Sequence, residues 1–258
     1  MTFREALVSA YCKEPCRVLP NAMWKTGAQV DDFETSFEVE KGVVMRLEMW
    51  DEEGLHLYWH RDRYPPHIPE DRIRRLKFML LHQDYLDTIP VERFRTRKPY
   101  FRIMHSNGAK PTVALPLGFR IVNVNVDTEA DAVAELIEKC YDTLHPSTES
   151  VHRWMDHPVF DRALWIWVMD ERKDVPVGLG IAELDPAIPE SSLEYIQVLP
   201  EYRGRGLGKC IVLELLTRLH GRVAFTTVSG EVKNRTRPEG LYRRCGFRGD
   251  DVWWLLRC

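Results

Sequence analysis

Seven residues, Arg203-Gly204-Arg205-Gly206-Leu207-Gly208-Lys209, set three glycines and three cations at the head of an apolar helical run. A strand-like stretch, 193–198, comes just before them. A helix opening on such a turn presents unpaired N–H groups at the positive end of its dipole, which is a ready phosphate site. The glycines at 204, 206 and 208 let the backbone approach a bulky anion closely. Arg203, Arg205 and Lys209 add formal positive charge. The plain alternative is an ordinary glycine turn with solvated arginines.

Two phosphate patterns fail here on a required residue. The dinucleotide fingerprint would begin at Gly204 and Gly206 but meets Lys209 where its third glycine belongs. The P-loop matches at Gly208-Lys209, yet Arg203 replaces its first glycine and Cys210 its hydroxyl. What fits is Arg203-x-x-Gly206-x-Gly208 after a strand ending in Val198-x-Pro200. That resembles the coenzyme A pyrophosphate loop of the GNAT superfamily of N-acetyltransferases. A second match follows in the right order: Asn234, then Gly240-Leu241-Tyr242-Arg243-Arg244-Cys245-Gly246-Phe247. It is similar to the asparagine, short Leu-Tyr helix and closing Gly-Phe of many members. The resemblance covers residues 119–258. Pro238 and Gly240 depart from it, standing where members carry better helix formers, so this helix is expected to be short or to start late.

The resemblance implies acetyl-CoA as cosubstrate, a primary amine of a small molecule or peptide as acceptor, and no metal. The cosubstrate would lie in a V-shaped gap where the strand at 193–198 splays from the strand at 223–228. Its pantetheine amides would pair with the strand edge at Gln197 and Val198, and its pyrophosphate would sit on the N–H groups of Arg203, Gly204, Arg205, Gly206, Leu207, Gly208 and Lys209. The Val198 N–H would polarise the thioester carbonyl, a contribution of about 3 kcal/mol. Glu194 is the implied general base, acting through water, and Tyr242 the implied general acid. Glu194 precedes Val198 by an even spacing that puts both side chains on one face of a regular strand. Asn234 would hydrogen-bond the cofactor or cap the following helix. Glu183 and Asp185 end a strand bordering the acceptor site, and read either as cation recognition or as solvated strand-end charges.

The elements that must position these residues run β-α-α-β-β-β-α-β-α-β, which is also the GNAT order. Residues 119–126 alternate as a strand, and Thr128-x-x-Asp131 resembles a capping box. It opens a helix with Val133, Leu136, Ile137, Cys140 and Tyr141 on one side. A second helix is predicted at 149–156, strands at 164–169, 177–184 and 193–198, and a helix at 207–220. A strand at 223–228, a short helix around Leu241 and a last strand at 252–256 complete the set. The expected fold class is α+β: a mixed, mostly antiparallel sheet flanked by helices, with a smaller N-terminal α+β domain.

Residues 106–118, holding Asn107-Gly108, Pro111, Pro116 and Gly118, read as a boundary. Residues 117–258 are then the GNAT domain and residues 1–116 an accessory domain or a degenerate GNAT-like copy. The first part predicts a short helix at 3–13, a strand pair at 36–50 turning at Lys41-Gly42, and a strand at 55–59. Pro65-Pro66 breaks the pattern, a helix at 69–80 carries Ile73, Leu76, Met79 and Leu80, and 94–104 is a basic strand. This part has no Arg-x-x-Gly-x-Gly loop. Trp24, Trp50 and Trp59 read as core or interface residues.

With 258 residues, 44% hydrophobic and 29% charged, the composition is that of a soluble globular chain with a sizeable core. The net charge of −3 argues against a nucleic-acid protein built on a general basic field. No run approaches the roughly 18 apolar residues of a membrane span, and residues 1–10 lack the apolar core of a signal peptide. A cytoplasmic location with no membrane or nucleic-acid partner is expected, with homodimer formation open. The six cysteines have no zinc spacing. A different functional class, a non-catalytic acyl-CoA sensor signalling through residues 1–116, is the alternative reading.

Overall fold

Thr2 Oγ1 accepts from the Glu5 N–H while the Glu5 carboxylate accepts from the Thr2 N–H, a capping box that starts helix α1 (Phe3–Tyr11). In the computed structural model, which describes residues 1–62, 68–141 and 144–258, two short helices follow, α2 (Pro15–Val18) and α3 (Met23–Gly27). Then come β1 (Glu34–Glu40), β2 (Val43–Trp50), β3 (Gly54–His60), α4 (Glu70–Arg75), β4 (Phe78–His82) and β5 (Thr96–His105). The chain continues through β6 (Phe119–Asn123), α5 (Ala130–Cys140), α6 (Thr148–Met155), β7 (Trp165–Asp170), β8 (Val175–Leu184) and β9 (Glu190–Val198). It ends with α7 (Leu207–Leu219), β10 (Phe225–Glu231), α8 (Pro238–Arg244) and β11 (Arg248–Arg257).

These elements form two compact units. The first comprises Met1–Met104, Thr227–Glu239 and Arg248–Cys258; the second comprises His105–Thr226 and Gly240–Phe247. The proline- and glycine-bearing stretch at 106–118 thus lies within the second unit, and two C-terminal segments lie in the first.

In the first unit, β1, β2 and β3 form an antiparallel meander. Lys41 and Gly42 turn between β1 and β2 at φ +48° and +80°, the pair of left-handed residues that matches hairpin twist. β4 runs parallel to β3, and β11 lies antiparallel between β4 and β5. The helix expected across 69–80 stops at Arg75, and Met79 and Leu80 belong to a strand instead. A short apolar run suits either element. Here pairing on both sides decides, because a central strand buries Met79 and Leu81 completely. Pro65 and Pro66, where the sequence predicts a break, lie outside the described residues.

In the second unit, β6, β7, β8 and β9 form an antiparallel meander. Helices α5 and α6 supply Val133, Leu136, Ile137 and Val151 to a core shared with Trp165, Trp167, Leu179 and Ile181. The Thr128 capping box does not form: α5 starts at Ala130 behind Glu129, whose carboxylate accepts from the Asn125 N–H at 2.7 Å and Trp167 Nε1 at 2.9 Å. Helix α7 crosses the other face of β8. A Cβ on Gly180 would meet Ile211 Cγ2 of α7 at 2.4 Å, so the close approach of helix to strand needs glycine there.

Helices, a three-strand meander, a crossover helix and another strand therefore occur in the same order twice. The first crossover helix, α4, has 6 residues where α7 has 13.

Candidate functional site

Strand β9 carries one more residue than β8 at its middle. Tyr195 stands opposite Ile181 and Leu193 opposite Ala182, so the extra residue is Glu194. Such a β-bulge re-aims the side chain it adds. Ser192 Oγ donates to Glu194 Oε1 at 2.8 Å and lies 3.3 Å from Glu183 Oε2. Glu183 opposes Ser192 in register and follows the core residue Ile181 by two positions, so all three polar side chains share the α5/α6 face. Val198 faces the other way. Directly opposite it, a Cβ on Gly178 would meet Ile211 of α7 at 3.2 Å. The even spacing predicts Glu194 and Val198 on one face; the bulge separates them, because one added residue inverts the alternation.

The Leu199 N–H donates to Val177 O, which makes that pair a hydrogen-bonded one. Alternation then turns the Gln197 backbone toward β8 and the Val198 backbone away from it. Of the two residues expected to offer a strand edge, Val198 has the backbone orientation for it. Its carbonyl accepts from Arg203 Nε at 3.1 Å. Gln197 contributes its side chain: Nε2 donates to Tyr141 Oη at 2.7 Å.

After β9 the chain turns through Gly204 and Gly206, at φ +80° and +83°. Side chains at either position would be strained. Gly206 is the N-cap of α7 and supplies no side-chain acceptor. The N–H groups of Leu207, Gly208 and Lys209 have no partner among the described residues, and the first turn holds no acidic side chain. That combination fits a phosphate. The arginines also organise the loop. Arg203 holds the end of β9, and the Arg205 guanidinium lies 4.9 Å from the Tyr202 ring centroid. A Cβ on Gly208 would meet Leu241 at 3.2 Å, so the start of α7 packs tightly on α8.

Tyr242, on α8, is buried, with its ring edge-on to Phe247 at 5.7 Å. Burial raises its phenol pKa, and Tyr141, Cys245 and the negative charge of Glu194 raise it further. Tyr141 is shifted up in the same way, by burial first and with Glu194 contributing, although the Gln197 hydrogen bond opposes the shift. Tyr195 rises through burial, then Glu194, Tyr141 and Glu183. Its ring stacks on Trp154 at 5.0 Å. Glu194, Tyr242, Tyr141, Tyr195 and Glu183 therefore share one electrostatic neighbourhood, in which phenols stay protonated and two carboxylates supply the charge. Sequence reasoning reaches Glu194 and Tyr242 but treats Tyr141 only as a helix-face residue.

Asn234 belongs to the first unit. Its Oδ1 accepts from the Thr236 N–H at 2.9 Å and Thr236 Oγ1 at 2.8 Å, a local Asx turn. Among the described residues, no group of three or more His, Cys, Asp or Glu side chains is placed to hold a metal. No described helix is long and apolar enough to cross a membrane.

Residues 162–249 match the family model described as an acetyltransferase (GNAT) domain. The chain carries a GNAT domain. That span contains β9, the glycine turn, α7 and Tyr242. Solved structures share the fold of the whole chain, though at low sequence identity. A GCN5-related N-acetyltransferase from Sphaerobacter thermophilus aligns with TM-score 0.69 and 15% identity, over 99% of this chain and 91% of that one. A GNAT-family acetyltransferase from Colwellia psychrerythraea gives 0.62 and 12%, over 100% and 97%. A tandem GNAT protein from the clavulanic acid biosynthesis pathway gives 0.60 and 14%, over 99% and 93%. The alignment with the tandem protein accords with the doubled order of elements here. A search of curated protein sequences finds no significant match.

Proposed function

We propose that the protein is an N-acetyltransferase that moves an acetyl group from acetyl-CoA directly to a primary amine. The observation that carries this reading is the joint presence of an unpartnered helix N-terminus on a glycine turn and, in the same GNAT domain, a carboxylate and a buried phenol sharing one field. Acetyl-CoA, when bound, supplies an acetyl group activated as a thioester. The N–H groups from Gly204 to Lys209 hold the pyrophosphate, the Arg203 N–H being already donated to the Pro200 carbonyl, with Arg203, Arg205 and Lys209 adding charge. The Val198 N–H, turned away from β8, is the candidate donor to the thioester carbonyl. Asn234 is assigned to cofactor binding on the family pattern alone.

Glu194 accepts the proton that the acceptor ammonium must lose, through water. The freed amine forms the new C–N bond as the C–S bond breaks, Tyr242 gives its proton to the departing sulfur, and the proton that the acylated nitrogen then sheds restores the phenol. A phenol kept protonated by burial is suited to that role. We assign catalysis to residues 117–258 and an accessory role to residues 1–116, and we place the protein in the cytoplasm.

A thermal-shift titration with acetyl-CoA, coenzyme A, ATP and NAD tests the reading. A ligand that binds only the folded state, at about 100 times its dissociation constant, adds roughly 2.7 kcal/mol of stability. Stabilisation by the two coenzyme A species alone is expected, followed by thiol release when an amine panel is added. A response to ATP or NAD instead, or to none of the four, would remove the loop assignment and the catalytic roles with it.

A further inference from the structure

Strand β3 precedes its crossover helix as β9 precedes α7, but its end is already occupied by the chain itself. The His60 N–H donates to Tyr85 Oη at 3.0 Å, and the His60 carbonyl accepts from Arg17 Nη2 at 2.9 Å and from Tyr85 Oη at 3.1 Å. Arg17 is buried, and its Nε is fixed by Asp84 at 2.9 Å. Backbone groups committed in this way leave no edge for the amides of an extended ligand. A ligand at this place must be recognised by side chains.

A cavity of about 270 Å³ lies beside the sealed strand end, walled by Ala10, Lys13, Glu14, Val44, Trp59 and Arg61. Lys13 and Arg61 are exposed, and neither has an ion-pair partner among the described residues. Glu14 is tied to Arg17 through Oε2 at 3.2 Å. Ala10, Val44 and Trp59 are buried apolar walls, and the Trp59 indole N–H has no hydrogen-bond partner among the described residues. The volume falls just under the usual range for drug-sized ligands and far short of what acyl-CoA needs.

We propose that this cavity binds a small amino acid, with its carboxylate on Lys13 and Arg61, its ammonium on Glu14, and its side chain against Val44 and Trp59. Two cations answer one carboxylate, a single carboxylate answers one ammonium, and the apolar wall selects a side chain of modest size. The proposal does not rest on the acetyltransferase reading.

Isothermal titration of the full chain with L-leucine, and with its two half-analogues 4-methylpentanoate and 3-methylbutylamine, tests it. Leucine is expected to bind, and each half-analogue to bind at least about tenfold more weakly. A Lys13→Ala/Arg61→Ala double variant, altered only at exposed positions, should lose leucine binding while its thermal response to coenzyme A stays as in the wild type. No heat from leucine with the wild-type chain would overturn the proposal. Equal binding of 4-methylpentanoate and leucine would do the same, as would wild-type affinity in the double variant.

Discussion

Ser192 and Glu194, two residues apart on β9, are joined side chain to side chain at 2.8 Å. The Ser192 hydroxyl has one proton to donate, and Glu183 lies 3.3 Å from the same oxygen. Two carboxylates thus converge on one donor. Glu194 is held in a defined orientation by that hydroxyl. Such a site favours an incoming cation.

Replacing Glu194 by Gln keeps the shape and the Ser192 contact but removes the proposed base. Turnover is expected to fall about 10²–10⁴-fold, the usual range for losing a general base. Acetyl-CoA affinity should be nearly unchanged. Steady-state kinetics beside a coenzyme A titration would check both, and undiminished turnover would take Glu194 out of the mechanism.

Tyr242→Phe should likewise lower turnover by roughly 10²-fold or more while leaving acetyl-CoA affinity intact. Because burial raises the phenol above its ordinary value of 10.0, the wild-type pH–rate profile should show no loss from phenol ionisation below about pH 10. Equal turnover in the variant would reassign the acid.

Tyr85 predicts an alkaline weakness in the first unit. Burial pushes its pKa from 10.0 up to about 12. Between these values the folded chain keeps the proton that the unfolded chain has lost. The associated stability is full below pH 10 and is lost as pH rises toward 12. Tyr85→Phe should flatten that decline, and should cost about 1–3 kcal/mol at neutral pH by stranding the His60 N–H. Urea unfolding at neutral and alkaline pH measures both effects; identical pH slopes in the two proteins would refute the assignment.

Gly180→Ala tests whether the closeness of α7 to β8 matters to the site. The new methyl would lie 2.4 Å from Ile211 Cγ2 and 2.9 Å from Ile166 Cγ1, both on stiff branched side chains. Overpacking of this kind costs about 1–3 kcal/mol. Because α7 must shift to relieve it, coenzyme A binding should weaken as well. A stable variant with wild-type binding would show that the helix has slack.

The glycine turn was legible because its information is local: three glycines, three cations and the helix they open are contiguous. The bulge at Glu194 was not, since it is a property of register between two strands and no single strand's sequence carries it. Tyr141 was missed for a related reason. It closes an ordinary amphipathic helix, and the side chain that gives its hydroxyl a role, Gln197, is 56 residues away. Met79 and Leu80 suited a helix by spacing, and only the flanking strands β3 and β11 turned them into a strand. Glu129 displaced Thr128 at the start of α5 because its carboxylate also satisfies the distant indole of Trp167.

The place of β11 between β4 and β5 bears on how the chain is made. As residues 1–105 leave the ribosome, β4 and β5 lack the strand that joins them, and each exposes backbone groups that could pair wrongly. They must wait for residues 248–257. The second unit needs nothing beyond Phe247. Of the two units, the one begun earlier is therefore the one completed later.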